Sequence, residues 1–229
     1  MNTAQKIIKY FAIAFASLLS VSIIAGIVFG CLGILTATKL IKDNSSVEIT
    51  CEENESPCLK ITLGVSDLEI KKGDKLSAET NYDKISINQE DGRLVITENG
   101  GSIFDNASRK TTVYVPEDME LSKVGIAGGA GSINVESLKA KDMEVSLGVG
   151  ETVFNKLEVE NAKINAGIGR IEINLASSND NYAIKASRGI GDITLNGAAI
   201  KNDEWNGSGD KKIEISGGIG EITIKTNQE

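Results

Sequence analysis

Acidic side chains recur at one position of a short phrase that this chain repeats six times. That position holds Asp67, Ser132, Glu151, Arg170, Asp192 and Glu221. If the copies stack, the position becomes either a stripe that binds a cation or ligand, or a solvated face. On such a face Arg170, which stands between Glu151 and Asp192 in sequence order, would screen the repulsion between acids. Glycoside cleavage by paired carboxylates would need a cleft, which the sequence does not reveal. We favour the solvated face.

The chain contains no histidine. This excludes His-based triads and His general bases and removes most zinc sites. The glycine-rich phrases also lack the features of phosphate and dinucleotide loops. Calcium repeats of the RTX type are excluded because apolar residues such as Ile171 and Ile222 stand where those repeats carry Asp. We therefore expect a non-enzymatic protein with no catalytic, cofactor-binding or metal-binding residues; a lyase-like solenoid is a distant alternative.

Two of the three cysteines bracket a turn-forming segment. Cys51 and Cys58 enclose Glu-Glu-Asn-Glu-Ser-Pro, and strand-like runs at 47–50 and 59–63 flank them. A hairpin would bring the two residues within the Cα separation that a disulfide favours, and an oxidising exterior would preserve the bond. We expect a Cys51–Cys58 disulfide, with two reduced thiols as the alternative.

The repeated phrase has seven residues and is marked by glycine. Its copies are GVSDLEI from Gly64, GAGSINV from Gly129, GVGETVF from Gly148, GIGRIEI from Gly167, GIGDITL from Gly189 and GIGEITI from Gly218. The last five follow at steps of 19, 19, 22 and 29 residues. A period near 20 is typical of a β-solenoid, in which each repeat buries its apolar face against its neighbours. We predict an all-β, single-stranded β-solenoid, in the form of a right-handed parallel β-helix.

Apolar residues alternate through each copy and slip by one residue inside the phrase. Ala166 and Ile168 should face inward before the slip, as should Val149 and Ile219 in other copies, and Ile171 should face inward after it. A one-residue slip requires the backbone to turn. Glycine permits the turn, and we predict a corner at each of Gly131, Gly150, Gly169, Gly191 and Gly220. Ser66 takes this place in the first copy.

An uncharged segment near the N-terminus is long enough to cross a membrane. It covers residues 10–38, more than the ~20 residues that a spanning helix needs, and Lys6, Lys9, Lys39 and Lys42 flank it. We predict one uncleaved transmembrane helix, with a cleaved signal peptide and lipidation at Cys31 as alternatives. The positive charge of the free N-terminal amine favours a cytoplasmic N-terminus. We therefore expect the domain that follows the helix to lie outside the cell membrane.

Small residues share one face of this predicted helix. Ser22, Gly26 and Gly30 are four residues apart, and the glycines form a GxxxG pair that permits close helix approach. This face would allow a homodimer through the transmembrane helix.

The remaining sequence divides by composition. We expect a polar N-terminus at 1–9, the helix at 10–38, a linker at 39–46 and the β-solenoid domain at 47–226, less regular over 47–120 and regular over 121–226. The charged tail 225–229 is expected to protect one sheet end. The chain has net charge −8, with the acids all beyond residue 42, which argues against nucleic-acid partners.

A family resemblance rests on the segment TTVYVPEDMEL at 111–121, followed by GAGSINV and the later G-[IV]-G phrases. In these residues the chain resembles the DUF4097 putative-adhesin family over roughly 47–226. The resemblance implies a β-helical domain on bacterial envelope proteins, often behind a membrane segment, and it brings no catalytic residues.

These observations favour a membrane-tethered protein that displays a solenoid surface for binding or adhesion at the cell envelope. Its partner would be an unknown protein or envelope polysaccharide. Trp205, in the longest late loop, is the candidate contact residue, unless it covers the end of the core. The alternative is a signalling or envelope-stress component whose ectodomain senses a ligand and acts through the transmembrane helix.

Overall fold

The described part of the protein consists almost entirely of β-strands. The structure, a computed structural model, describes residues 57–90, 92–100 and 108–227, which lie in one compact unit. The one helical element described is a 3-10 turn at Asn179–Asn181. The strands are β1 (Cys58–Val65), β2 (Asp67–Lys72), β3 (Ser77–Thr80), β4 (Ile85–Glu90), β5 (Arg93–Glu98), β6 (Lys110–Val115), β7 (Leu121–Val135), β8 (Leu138–Leu175), β9 (Tyr182–Ile190), β10 (Ile193–Leu195), β11 (Ala198–Ala199), β12 (Trp205–Asn206) and β13 (Lys211–Thr226). The all-β prediction is confirmed.

The six phrases stack as parallel neighbours. We call one repeat of strand, corner and strand a rung. β1 and β2 pair with β7, β7 pairs with β8, and β8 pairs with β13 in matching register, so that Gly131 lies opposite Gly150 and Gly220 opposite Gly169. β8 contains two rungs, since the side chain of Asn161 donates to Asp142 Oδ1 at 3.0 Å, 19 residues away. The stack is solenoid-like; its handedness stays a prediction.

The last two rungs are exchanged relative to their order in the sequence. Ile219 of β13 pairs with Ile168 of β8 on one side and with Ile190 of β9 on the other. β13 therefore lies between β8 and the earlier strands β9 and β10. β12 and β11 turn back and pair antiparallel with β9 and β10. These short strands cover the edges of β9 and β10 that face away from β8. The opposite edges remain free, and β13 pairs there, between β9–β10 and β8.

One continuous core runs between the two strands of every rung. Before the corner, alternate residues point inward, and the layers place Ile61, Ile126, Val145, Ile164 and Ile215 in one buried column. After the corner the buried residues have the opposite parity, as Ile171 and Ile173 show. This is the period-two pattern of a strand with one buried face.

Different elements cover the two ends of the stack. At the first rung, β5 pairs with β1, and β6 pairs with β2. At the last rung, β11 and β12 cover the edge. The expectation that the C-terminal tail protects an end is wrong for Lys225, which pairs with Asn174 inside the stack. The reason is the insertion of β13 between two other rungs.

Within the described ranges, no helix is long and apolar enough to cross a membrane. The predicted spanning segment 10–38 and the linker 39–46 lie outside the described residues.

Candidate binding surface

Each corner depends on a glycine with a backbone conformation that other residues rarely adopt. Gly131, Gly150, Gly169, Gly191 and Gly220 have φ between +127° and +145°. In addition, a Cβ built on Gly169 would overlap the carbonyl oxygen of Gly150 in the neighbouring rung. Glycine is needed here both for the dihedral angle and for the space between rungs.

The first rung makes its corner without this glycine. Ser66 is not among the described non-glycine residues with positive φ, and its hydroxyl donates to the carbonyl oxygen of Arg109 at 3.2 Å. A Cβ on Gly131 would meet the carbonyl oxygen of Ser66 in the preceding rung. Ser66 has no preceding rung, because β5 and β6 cover that side of the first rung.

The first glycine of every phrase after the first is required by close contact between rungs. A Cβ on Gly129 would lie 2.6 Å from the oxygen of Gly64, and one on Gly189 would lie 2.7 Å from the oxygen of Gly218. Real Cβ atoms do not approach backbone oxygens so closely. The glycines therefore form a second column in which each backbone packs against the next.

The residue between the two glycines points outward, which corrects the predicted orientation of Val149, Ile168 and Ile219. Ile168 is 51% exposed, and Val149 and Ile219 are similarly exposed. The inward alternation ends at Ala166, before the first glycine, because the corner bends the chain around the middle residue. Inward packing resumes at Ile171.

Together these middle residues form an apolar line along the outer corner of the stack, which we call the corner ridge. In spatial order it consists of Val65, Ala130, Val149, Ile168, Ile219 and Ile190. Six large hydrophobic side chains are exposed in the described part of the chain, and five belong to this ridge. At ~4.8 Å between strands, the line is about 24 Å long. The sequence carried a signal for it, namely an apolar residue repeatedly enclosed by two glycines.

A charged column runs beside the ridge. Its spatial order is Asp67, Ser132, Glu151, Arg170, Glu221 and Asp192, so Arg170 lies between Glu151 and Glu221 and not next to Asp192. Arg170 Nε donates to Glu151 Oε1 at 2.8 Å, and this bond raises the pKa of Arg170. Paired groups of this kind are typical of a solvated face. No cluster of three or more metal-ligating side chains occurs in the described ranges.

The opposite flank of the ridge carries small, uncharged side chains. In the same order they are Thr62, Ala127, Ser146, Asn165, Ser216 and Ser187. The Ser187 and Ser216 hydroxyls are 3.3 Å apart. The ridge therefore has a neutral column of small side chains on one side and a charged column on the other. A column made mostly of glycine separates it from each of them.

Trp205 lies away from the ridge. It belongs to β12, pairs with Lys185 of β9 and is 49% exposed. Its exposure fits a contact residue, and its place on the terminal edge fits a cover for the last rung.

Several predicted positions fall outside the described residues. Cys58 is buried and disulfide-bonded, but Cys51 lies outside the described ranges, so this pairing stays a prediction. Ser22, Gly26 and Gly30 also lie outside them.

Comparison with known proteins identifies the family. The Toastrack DUF4097 model matches residues 38–228. The structure of a "putative cell adhesion protein" from Clostridium sporogenes ATCC 15579 is similar, with a TM-score of 0.58 and 18% identity over 77% of this chain and 96% of that one. A "putative adhesin" from Bacteroides fragilis NCTC 9343 gives a TM-score of 0.36 and 14% identity over 76% and 93%. No curated protein matches the sequence. The family match covers most of the chain, and the protein therefore belongs to the Toastrack DUF4097 family.

Proposed function

We propose that this protein is a non-enzymatic component of the cell envelope, tethered by residues 10–38, that uses the corner ridge to bind a protein partner. The observation that carries the proposal is the alignment of five exposed aliphatic side chains in one line. Monomeric proteins normally scatter such side chains, and contiguous apolar patches mark interaction sites.

The fold gives no reason of its own for an apolar ridge. The corners require glycine before and after the middle residue, but that residue's side chain points to solvent. A polar side chain would satisfy the same geometry. Fully burying an exposed Val or Ile side chain contributes about 1.5–3 kcal/mol. The ridge side chains are about half exposed, so a partner that covers several of them gains roughly half of this amount from each.

The chemistry of the ridge favours protein over polysaccharide. An aliphatic line offers no hydrogen bonds to the hydroxyl groups of a sugar chain, which would be costly to desolvate. Trp205, which could stack against a sugar, lies at the end of the stack and apart from the ridge. The Clostridium protein is named for cell adhesion, which agrees with a binding role.

The test compares two triple variants of the full-length chain. Ile168→Ser, Ile219→Ser and Ile190→Ser remove most of the ridge, whereas Lys141→Ser, Glu160→Ser and Lys212→Ser change exposed positions elsewhere. Chemical cross-linking in intact cells should give discrete products with the wild type and the control, and few with the ridge variant. Circular dichroism should show all three folded. Retention of every product by a folded ridge variant would contradict the proposal.

A further inference from the structure

We propose that the partner of the corner ridge is the corner ridge of a second copy, in antiparallel orientation. This rests on the proposed function, because it names the occupant of the same surface. The two copies would be related by a two-fold axis between the third and fourth rungs, so that the first rung of one copy meets the last rung of the other.

The sizes of the ridge side chains are complementary in this arrangement. The first three rungs carry the smaller residues, Val65, Ala130 and Val149. The last three rungs carry isoleucine at every position, Ile168, Ile219 and Ile190. Antiparallel alignment places a smaller residue opposite an isoleucine at each of the six positions. Parallel alignment would place small against small at one end and large against large at the other.

The charges at the centre of the ridge are complementary in the antiparallel arrangement. A two-fold axis across the ridges makes the charged columns of the two copies face each other. At the centre, Arg170 of each copy then meets Glu151 of the other, which adds to the pair within each copy. Elsewhere the facing columns are acidic and add no attraction. Asp67 and Asp192 face each other at the two ends, where Asp192 already pairs with Arg188 at 3.6 Å and exposed charges are screened.

The remaining flank does not obstruct the contact. Small neutral side chains such as Ala127, Ser146 and Ser216 face their counterparts, and the two columns beside the ridge consist of glycine except at Ser66, whose hydroxyl is bonded to Arg109. Thus the ridges meet before any larger group does.

The contact area indicates a weak, membrane-assisted dimer. A strip about 24 Å long and about 15 Å wide covers about 360 Å² per copy, below the ~800 Å² per partner of a standard interface. Copies tethered in the same membrane have a high effective concentration, which strengthens such a contact. We therefore expect the dimer to form between copies that are anchored side by side in the same membrane.

The experiment is photo-cross-linking of the full-length protein in cells. p-Benzoylphenylalanine replaces Val149, Val65 or, as a control, Lys156, an exposed residue after the same rung as Val149. The expected product from each ridge position has about twice the mass of the 24.3 kDa chain. Its cross-link maps near Ile168 from position 149 and near Ile190 from position 65, and Lys156 yields no such product.

A charge exchange tests the central pair. Arg170→Glu should reduce the dimer product at least several-fold, and the double variant Arg170→Glu, Glu151→Arg should restore it. Failure of the double variant to restore it would count against the central pairing.

The other outcomes separate this inference from the proposed function. A cross-link from 65 to 65 would overturn the antiparallel arrangement, because that arrangement places the two copies of Val65 about 24 Å apart. Ridge products that contain a different protein would overturn the second copy as partner and leave the binding role intact. No product from any ridge position would overturn both.

Discussion

At the scale of single residues, the corner glycines are constrained in two independent ways. Gly169 has φ of +143°, and the space where its Cβ would lie holds the backbone of Gly150. Gly197 also has positive φ, at +79°, but nothing lies within 4 Å of its Cβ position. Substitutions at Gly169 and Gly197 can therefore separate two contributions to stability, namely the close stacking of rungs and the positive φ alone.

Gly169→Ala should therefore lower the free energy of unfolding by more than about 3 kcal/mol, because it combines a φ that is nearly exclusive to glycine with a backbone clash. Gly197→Ala should cost about 1–2 kcal/mol, the cost of a left-handed conformation alone. Urea denaturation of both variants measures the difference. Equal losses would show that the rungs are free to move apart.

Glu69 gives the protein a small dependence on pH. Lys110 and Lys71 form ion pairs with its carboxylate at 2.8 and 2.7 Å, and their hydrogen bonds lower the pKa of Glu69. Because the pKa of Glu69 is lower in the folded protein than in the unfolded chain, its charge stabilises the folded state at any pH above the unfolded pKa. This stabilisation is lost as the pH falls through the pKa of the folded protein. Glu69→Gln should therefore cost less than about 1 kcal/mol at neutral pH.

The measurement is the free energy of unfolding of wild type and Glu69→Gln between pH 7 and about pH 3. The difference between them should shrink toward the acidic end. A difference that stays constant over this range would rule out the carboxylate charge as its source.

At the scale of the elements, a buried ion pair closes the first rung. Glu98, at the end of β5, accepts the backbone N–H of Gly64 at 2.6 Å and an Arg109 N–H at 3.0 Å. Both side chains are less than 5% exposed, and the Arg109 guanidinium lies 4.3 Å from the centre of the Tyr82 ring. The carboxylate thus occupies the place where a further rung would otherwise bond to the glycine column.

Glu98→Ala should destabilise the protein by about 1–3 kcal/mol, because it removes the buried carboxylate that accepts hydrogen bonds from Arg109 and from the Gly64 backbone. The matched control is Glu172→Ala, which removes an exposed pair with Lys225 and should cost less than about 1 kcal/mol. Thermal unfolding of the two variants provides the comparison. A loss for Glu98→Ala as small as that of the control would show that this pair is dispensable for closing the stack.

At the scale of the whole molecule, β13 joins the rung formed by β9 and β10, which is the last in space, to the rest of the stack. It pairs with β8 on one side and with β9 and β10 on the other. In a simple solenoid, loss of the C-terminal strand would remove one terminal rung and leave the others in place. Here it separates β9–β12 from the core.

Truncation after Asp210 should therefore make the segment 176–210 susceptible to proteolysis and expose the edge of β8. The same protease should leave the first three rungs intact. Mass spectrometry of the fragments identifies the cleavage sites. Continued protection of 176–210 would mean that β9 and β10 pair directly with β8, which the shared phrase would permit in the same register.

The sequence by itself determined the repeating part of this protein. The phrase and its period predicted stacked β-rungs, and the family resemblance agreed with them. The structure places positive φ at all five glycines where the parity slips. These features are local, since they depend on alternation along a strand and on the one residue type that tolerates the turn.

Only the tertiary structure decided what faces outward and which rung lies beside which. Ile168 fits the inward alternation in the sequence, and only the corner's backbone path places it outside. The order of the last two rungs could not be predicted, because near-identical phrases offer equivalent edges and β11 and β12 decide which edge remains for β13. Likewise, Glu98 closes the stack from 34 residues beyond Gly64, a distance at which no sequence period indicates a contact.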